Sequence, residues 1–256
     1  MRVALARKLG GIDSVELGEL ADPEPAAGQA LVRVHGAGVG PWDVGFVGGG
    51  FPGIALPFVP GQEIAGVVEA AGEGAGVQSG DQVYAVLFPA GGGFAELALV
   101  SANRLAPMPA SASFQEAAGL VISAATAHEA LVDRGRLQAG ETVLITAAAG
   151  GVGSAAVQIA VAQGARVLGA ASVRDEGRAY FIVLQSAPPQ LERGITGESF
   201  AAHGGRQRLE ELARLVDAGK LRAQVEAVLP LDRAGEALAR VAGRHTRGKI
   251  VLQIGE

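Results

Sequence analysis

The sequence contains no cysteine, and that absence excludes disulfide cross-links, thiolate metal sites and cysteine nucleophiles together. A chain without disulfides fits a reducing compartment, so a cytoplasmic location is expected. Charged residues make up only 18%, and 21 Lys and Arg against 26 Asp and Glu leave a formal net charge of −5, with no basic block. Nucleic acid needs clustered cations, so it is not an expected partner. No apolar run reaches the roughly 18 residues of a membrane span. Met1 to Lys8 has no long apolar core of the signal-peptide kind, so neither membrane insertion nor export is expected.

What remains is the composition of a folded protein. Apolar residues reach 49% of the 256, enough to bury a core. Glycine (39) and proline (12) fall short of the share, roughly 25–30%, that marks a low-complexity chain. The glycines therefore serve local geometry. The length suits one large domain or two ordinary ones.

Residues 1 to about 108 are short apolar runs cut by Gly and Pro: Val3–Ala6, Ala30–Val34, Ile64–Glu69, Gln82–Val86 and Phe94–Leu99. This spacing predicts a strand-rich barrel or sandwich. After Pro107 and Pro109 the texture changes. Ser113 stands three residues before Glu116, the form of a helix capping box, and helical periodicity continues through Leu131. The run Thr142–Thr146 then meets a glycine-rich turn, a small-residue helix from about Ser154 to Gln163, and a second strand Arg166–Ala170. That is a βαβ unit. Further strands are expected at Ala179–Leu184 and Ile195–Ala202, helices at Gln207–Ala218 and Ala234–Val241, and a closing strand at Lys249–Ile254.

The turn carries the chemistry. It reads Ala148-x-Gly150-x-x-Gly153, a dinucleotide fingerprint whose first glycine is alanine. The two retained glycines let backbone approach a pyrophosphate and let helix pack on strand, and the backbone amides at that helix start would face the anion. Glycine turns also occur for packing alone; the strand before and helix after favour the nucleotide. An NAD site wants an acidic residue at the end of the second strand, where Ala170-Ala171-Ser172 stands instead. Ser172 and Arg174 are suited to a 2′-phosphate, which favours NADP(H). Asp175 and Glu176 lie nearby, and the alternative for Arg174 is an ordinary solvated charge. The histidines His35, His128, His203 and His245 show no metal-binding spacing, and no Gly-x-Ser-x-Gly elbow exists.

Across almost the whole chain the sequence resembles the quinone-oxidoreductase branch of the medium-chain dehydrogenase/reductase superfamily. The resemblance rests on Val59–Val68, Gly80–Tyr84, Gly93–Glu96, Ala124–Ala127, the Ala148–Gly153 turn and Arg247–Leu252. It implies an α/β fold with a β-rich part: a GroES-like β-barrel domain (1–112 and 225–256) and a shortened Rossmann-like NADP(H)-binding domain (113–224). It implies NADPH-dependent reduction of quinones or other activated enones and carbonyls, a small-molecule partner and homodimers through strand six. Thr126 matches a family position beside the nicotinamide, and Gly150, Gly151, Val152 and Gly153 match the family's pyrophosphate turn. Gly40 and Gln62 stand where zinc-dependent relatives carry Cys and His ligands, so no metal is expected. Trp42, Phe46 and Phe51 are candidate substrate-pocket residues, with plain core as the alternative. No proton donor is apparent.

Against this family two βα units are missing between Arg174 and Arg178, on the order of 50–60 residues. Closing the gap requires strand five to move beside strand one. Seven residues, Ser172 to Arg178, are too few for a parallel crossover of a dozen or more. An antiparallel strand, a rearranged region or a sheet completed by a partner chain remain open. So does a non-catalytic nucleotide-binding or interaction protein derived from such reductases.

Overall fold

The computed structural model describes residues 1–169, 178–181, 196–200 and 204–255. Its first half is ordered around one long strand. A hairpin of β1 (Arg2–Ala6) and β2 (Val15–Glu19) precedes β3 (Gln29–Val39), which is buried along most of its length. After the short helix α1 (Pro41–Val47) come β4 (Glu63–Ala71), β5 (Gln82–Val86), β6 (Leu97–Ser101) and β7 (Leu105–Pro107). β4 takes one edge of β3, and β6 pairs with residues 29–33 on the other. The remaining stretch of that edge, residues 36–39, waits for a strand from the far end of the chain.

Helix α2 (Phe114–His128) starts at the expected capping box. Ser113 Oγ accepts from the Glu116 amide at 3.2 Å, while the Glu116 carboxylate accepts from the Ser113 amide at 2.9 Å. Its small side chains bury nearly its whole circumference. The α-helix stops earlier than the expected Leu131 and relaxes into a π-type segment, Glu129–Arg134.

The βαβ unit follows as expected: β8 (Thr142–Ile145), α3 (Gly151–Ala162) and β9 (Arg166–Gly169), with the strands parallel. β10 (Arg178–Phe181) and β11 (Thr196–Ser199) pair with each other in parallel. Among the described residues neither pairs with β8 or β9. The move of strand five to a place beside strand one is therefore not seen there, in keeping with the short connection from β9. Ser172 and Arg174 lie outside the described residues.

Helix α4 (Arg206–Asp217) packs Leu209, Leu212 and Val216 into the core shared with α2 and α3. The chain then closes through β12 (Val225–Pro230), α5 (Ala234–Ala242) and β13 (Lys249–Gln253). β12 and β13 are parallel, and β13 fills the free stretch of β3 with Ile250 opposite Val39 and Gln253 opposite Gly36. The seven-stranded sheet runs β12-β13-β3-β4-β5-β7, with β6 beside β3. One apolar core fills this sheet, including Val32, Ile64, Val83, Phe94, Leu105 and Leu252. A second lies where α2 is held between the sheet and α3.

Candidate active site

The glycine turn is built by strain and close approach. Ala147 sits in the left-handed region (φ 51), and its carbonyl accepts from the Gly150 amide at 2.9 Å. Helix α3 then begins with no side-chain cap and no acidic residue in its first turn. The first amides of such a helix have no acceptor within it, and together they form a site for an anion. A Cβ on Gly153 would lie 2.1 Å from the Ala147 carbonyl oxygen, so the helix can reach this strand end only with glycine there. A Cβ on Gly151 would lie 2.9 Å from both Ser123 Oγ and Lys249 Cδ. The turn is thus pressed against α2 on one side and the last strand on the other, and Gly150 forms a bridge with Gly248.

Lys249 ties that turn to the first sheet. Its ammonium is buried, donates to Glu63 Oε1 and, at 2.9 Å, to the Val39 carbonyl. The other carboxylate oxygen of Glu63 accepts from the Ile122 amide at 2.7 Å. β4, β13 and α2 therefore meet on a single carboxylate. The same ammonium stands 4.9 Å from the centroid of the Trp42 ring, within cation–π range.

Asp43 holds the neighbouring loops. Its two carboxylate oxygens accept from the Gly40 and Gly61 amides, each at 2.9 Å. It is fully buried, and burial pushes its pKa up to about 7. The two backbone donors and Lys249 pull it down, and Glu63 pushes it up. Above its clamp the Trp42 ring folds back over Gly40, where a Cβ would lie 2.2 Å from the ring. Gln62, next to the clamped Gly61, is entirely buried.

The expected pocket residues Trp42, Phe46 and Phe51 come together, joined by Phe58, Phe88 and Ile122. Phe46 stacks on Phe51 with centroids 4.0 Å apart and meets Phe88 edge-on at 5.8 Å. Thr126 is buried on α2, one turn beyond Ser123, so both share the face that meets the turn. Sequence reasoning missed Asp43, Glu63, Ser123 and Lys249, and it singled out Gln62 only as a residue standing where zinc-dependent relatives carry a ligand. A charge inside each apolar run was the available signal for Glu63 and Lys249. Among the described residues no group of three or more His, Asp or Glu is placed to hold a metal ion. His128 instead faces the Arg208 guanidinium through Nδ1; burial and that cation lower its pKa, leaving the neutral ring as an acceptor.

Two family profiles match the chain: the alcohol dehydrogenase GroES-like domain over residues 26–110 and the zinc-binding dehydrogenase family over residues 131–252. The quinone oxidoreductase of Rattus norvegicus is 38% identical over 194 residues, which is 75% of this chain and 58% of that protein. The Homo sapiens quinone oxidoreductase is 37% identical over the same shares. The chain belongs to the quinone-oxidoreductase-like medium-chain dehydrogenase/reductase family. Its match spans well under two thirds of those relatives' length. A solved NAD-dependent alcohol dehydrogenase superposes with a TM-score of 0.90 at 27% identity, covering all of both chains. A probable oxidoreductase from Mycobacterium abscessus gives 0.86 at 28% identity, covering 99% of this chain and 98% of that one. Membership makes the sheet GroES-like and the β8-α3-β9 unit Rossmann-like, and it implies a nicotinamide cofactor. The uncapped amides and the filled Cβ positions at Gly151 and Gly153 fit its pyrophosphate.

Two outcomes follow from the buried charges. Lys249→Met leaves the Glu63 carboxylate unpaired and is expected to cost about 3–5 kcal/mol in urea unfolding. Adding Glu63→Gln should recover part of that loss, whereas strictly additive losses would mean the pair is not coupled. For Asp43 the folded pKa is raised, so its contribution is complete below about pH 4 and declines as pH rises toward 7. The melting temperature of the wild type minus that of Asp43→Asn should therefore fall across this window; a flat difference would contradict the raised pKa.

Proposed function

We propose that the protein is an NADPH-dependent oxidoreductase that reduces quinones or other activated enones and carbonyls by direct hydride transfer, without zinc. The observation that carries this reading is the continuity of the site: the glycine turn touches Lys249, and Lys249 touches Trp42 at the border of the aromatic cluster. When bound, the nicotinamide supplies a hydride from its C4 atom. The chain's own residues bind and orient. Gly151, Val152 and Gly153 present amides to the pyrophosphate, Gly150, whose own amide is held by the Ala147 carbonyl, lets it approach, and the family resemblance assigns Thr126 to the nicotinamide end. The choice of NADPH over NADH rests on Ser172 and Arg174, and on the lack of an acidic residue at the end of β9.

On the substrate side the partly exposed rings of Phe51 and Phe88, backed by the buried Phe46 and Phe58, offer apolar faces suited to a quinone ring and would exclude water from the transfer. Zinc needs thiolate, imidazole or carboxylate donors, and Gly40 and Gln62 provide none of these at the clamped loops. The rival reading, a non-catalytic nucleotide-binding protein derived from such reductases, draws on the separation of β10 and β11 from the β8-β9 pair.

Mixing the protein with NADPH and 1,4-naphthoquinone and following absorbance of the reduced nicotinamide separates the two. Oxidation faster with NADPH than with NADH is expected; binding without oxidation across several quinones and enones would support the rival. Gly153→Val forces a side chain into the Ala147 carbonyl and should abolish measurable NADPH binding in a fluorescence titration. Unchanged affinity would count against the pyrophosphate cradle.

A further inference from the structure

Buried polar atoms are nearly always paired in native proteins, so unpaired ones mark places where a ligand or water completes the structure. Among the described residues four buried side-chain polar atoms lack a hydrogen-bond partner, and three of them belong to two residues of the loops clamped by Asp43: Trp42 Nε1, Gln62 Nε2 and Gln62 Oε1. The fourth, Arg208 Nε, faces the Glu211 carboxylate at 3.4 Å.

The two side chains are placed by one device. Asp43 clamps the Gly40 amide, over which the Trp42 ring lies, and the Gly61 amide, from which Gln62 follows. Gln62 is further fixed by its own carbonyl, which accepts from the Leu87 amide at 2.7 Å, so its backbone is committed and its carboxamide is not. The Lys249 ammonium over the indole ring draws electron density from it, which strengthens the indole N–H as a donor. Trp42 also belongs to the aromatic cluster. Unpaired polar groups thus adjoin a largely buried aromatic cluster beside the glycine turn, the chemical make-up of a site for a flat ligand with a polar end that enters by displacing these contacts.

We infer that the Trp42 indole N–H and the Gln62 carboxamide anchor the substrate's carbonyl oxygen, with the ring of the quinone or enone lying against the aromatic cluster. The carboxamide suits both ends of the reaction: its N–H donates to the carbonyl, and its oxygen accepts from the hydroxyl of the reduced product. This takes its ligand class from the reductase reading above. It adds a specificity rule, that an apolar ring without an oxygen binds poorly because both residues stay unpaired.

Trp42 is the only tryptophan, so its fluorescence reports on the site directly, and the lack of cysteine removes thiol addition to quinones as a complication. The test titrates protein free of reduced nicotinamide with 1,4-naphthoquinone and with naphthalene, which has the rings but no oxygen. Saturable quenching by the quinone is expected, with naphthalene at least about fivefold weaker. Gln62→Met keeps the length and removes both unpaired atoms. It should weaken the quinone about fivefold, leave naphthalene unchanged and not lower the melting temperature. Trp42→Phe, followed by calorimetry, should weaken the quinone similarly and serves as a second variant should the first fail to fold.

Equal quinone affinity in wild type and Gln62→Met, equal affinity for quinone and naphthalene, or no quinone binding at all would each overturn the anchor. If the anchor holds but NADPH is never oxidised, the reductase reading fails alone. If NADPH is oxidised and Gln62→Met changes neither the dissociation constant nor KM, the anchor fails alone.

Discussion

Lys249 buries its ammonium between the Glu63 carboxylate and the Val39 carbonyl, and there three segments distant in sequence become one site. Taking two charges out of water is costly, and a buried pair holds only when its remaining hydrogen-bonding capacity is used. Here it is used: the carboxylate takes the Ile122 amide, and the ammonium takes a main-chain carbonyl and the face of an indole ring. The pair therefore fixes register as much as it stabilises. With Lys249 in place β13 completes the free stretch of β3, and Gly248 is carried against Gly150.

Helix α2 is the second constraint, acting through size. Its Ala and Gly residues let it pass close to the sheet on one side and to α3 on the other. Ser123 consequently borders the glycine turn, while Ile122 points to the aromatic cluster and donates its amide to Glu63. A larger residue at Ser123 would displace the Gly151 backbone, so the anion site depends on α2 as well as on its own glycines. Asp43 does for the substrate side what Glu63 does for the nucleotide side, joining two loops through main-chain amides rather than through another charge.

Local pattern made much of this legible from sequence. Short apolar runs between turn residues located β1, β3, β4 and β5, and the capping box located the start of α2. The glycine turn was visible because strand, turn and helix are contiguous. α1 escaped notice because seven residues containing Pro41 and Gly45 carry too short a periodicity, and β12 because its alternation is brief and ends in Pro230. The expected Phe94–Leu99 strand is shifted to Leu97–Ser101, since Phe94 instead bonds in a loop to Pro60 and Ala4. Lys249 and Glu63 are 186 positions apart, a pairing that no local rule detects. Gln62 is noted in the sequence only for replacing a metal ligand, and its unpaired carboxamide becomes visible only with its burial.

The central claim is that a glycine turn latched between α2 and β13 forms a dinucleotide site although the Rossmann-like unit is short. Equilibrium titration of the wild-type protein with NADPH, monitored by calorimetry, tests it most directly. One-site saturable binding, displaced by 2′,5′-ADP acting on the adenine half alone, is the predicted result. Absence of any saturable heat with either NADPH or NADH would contradict it.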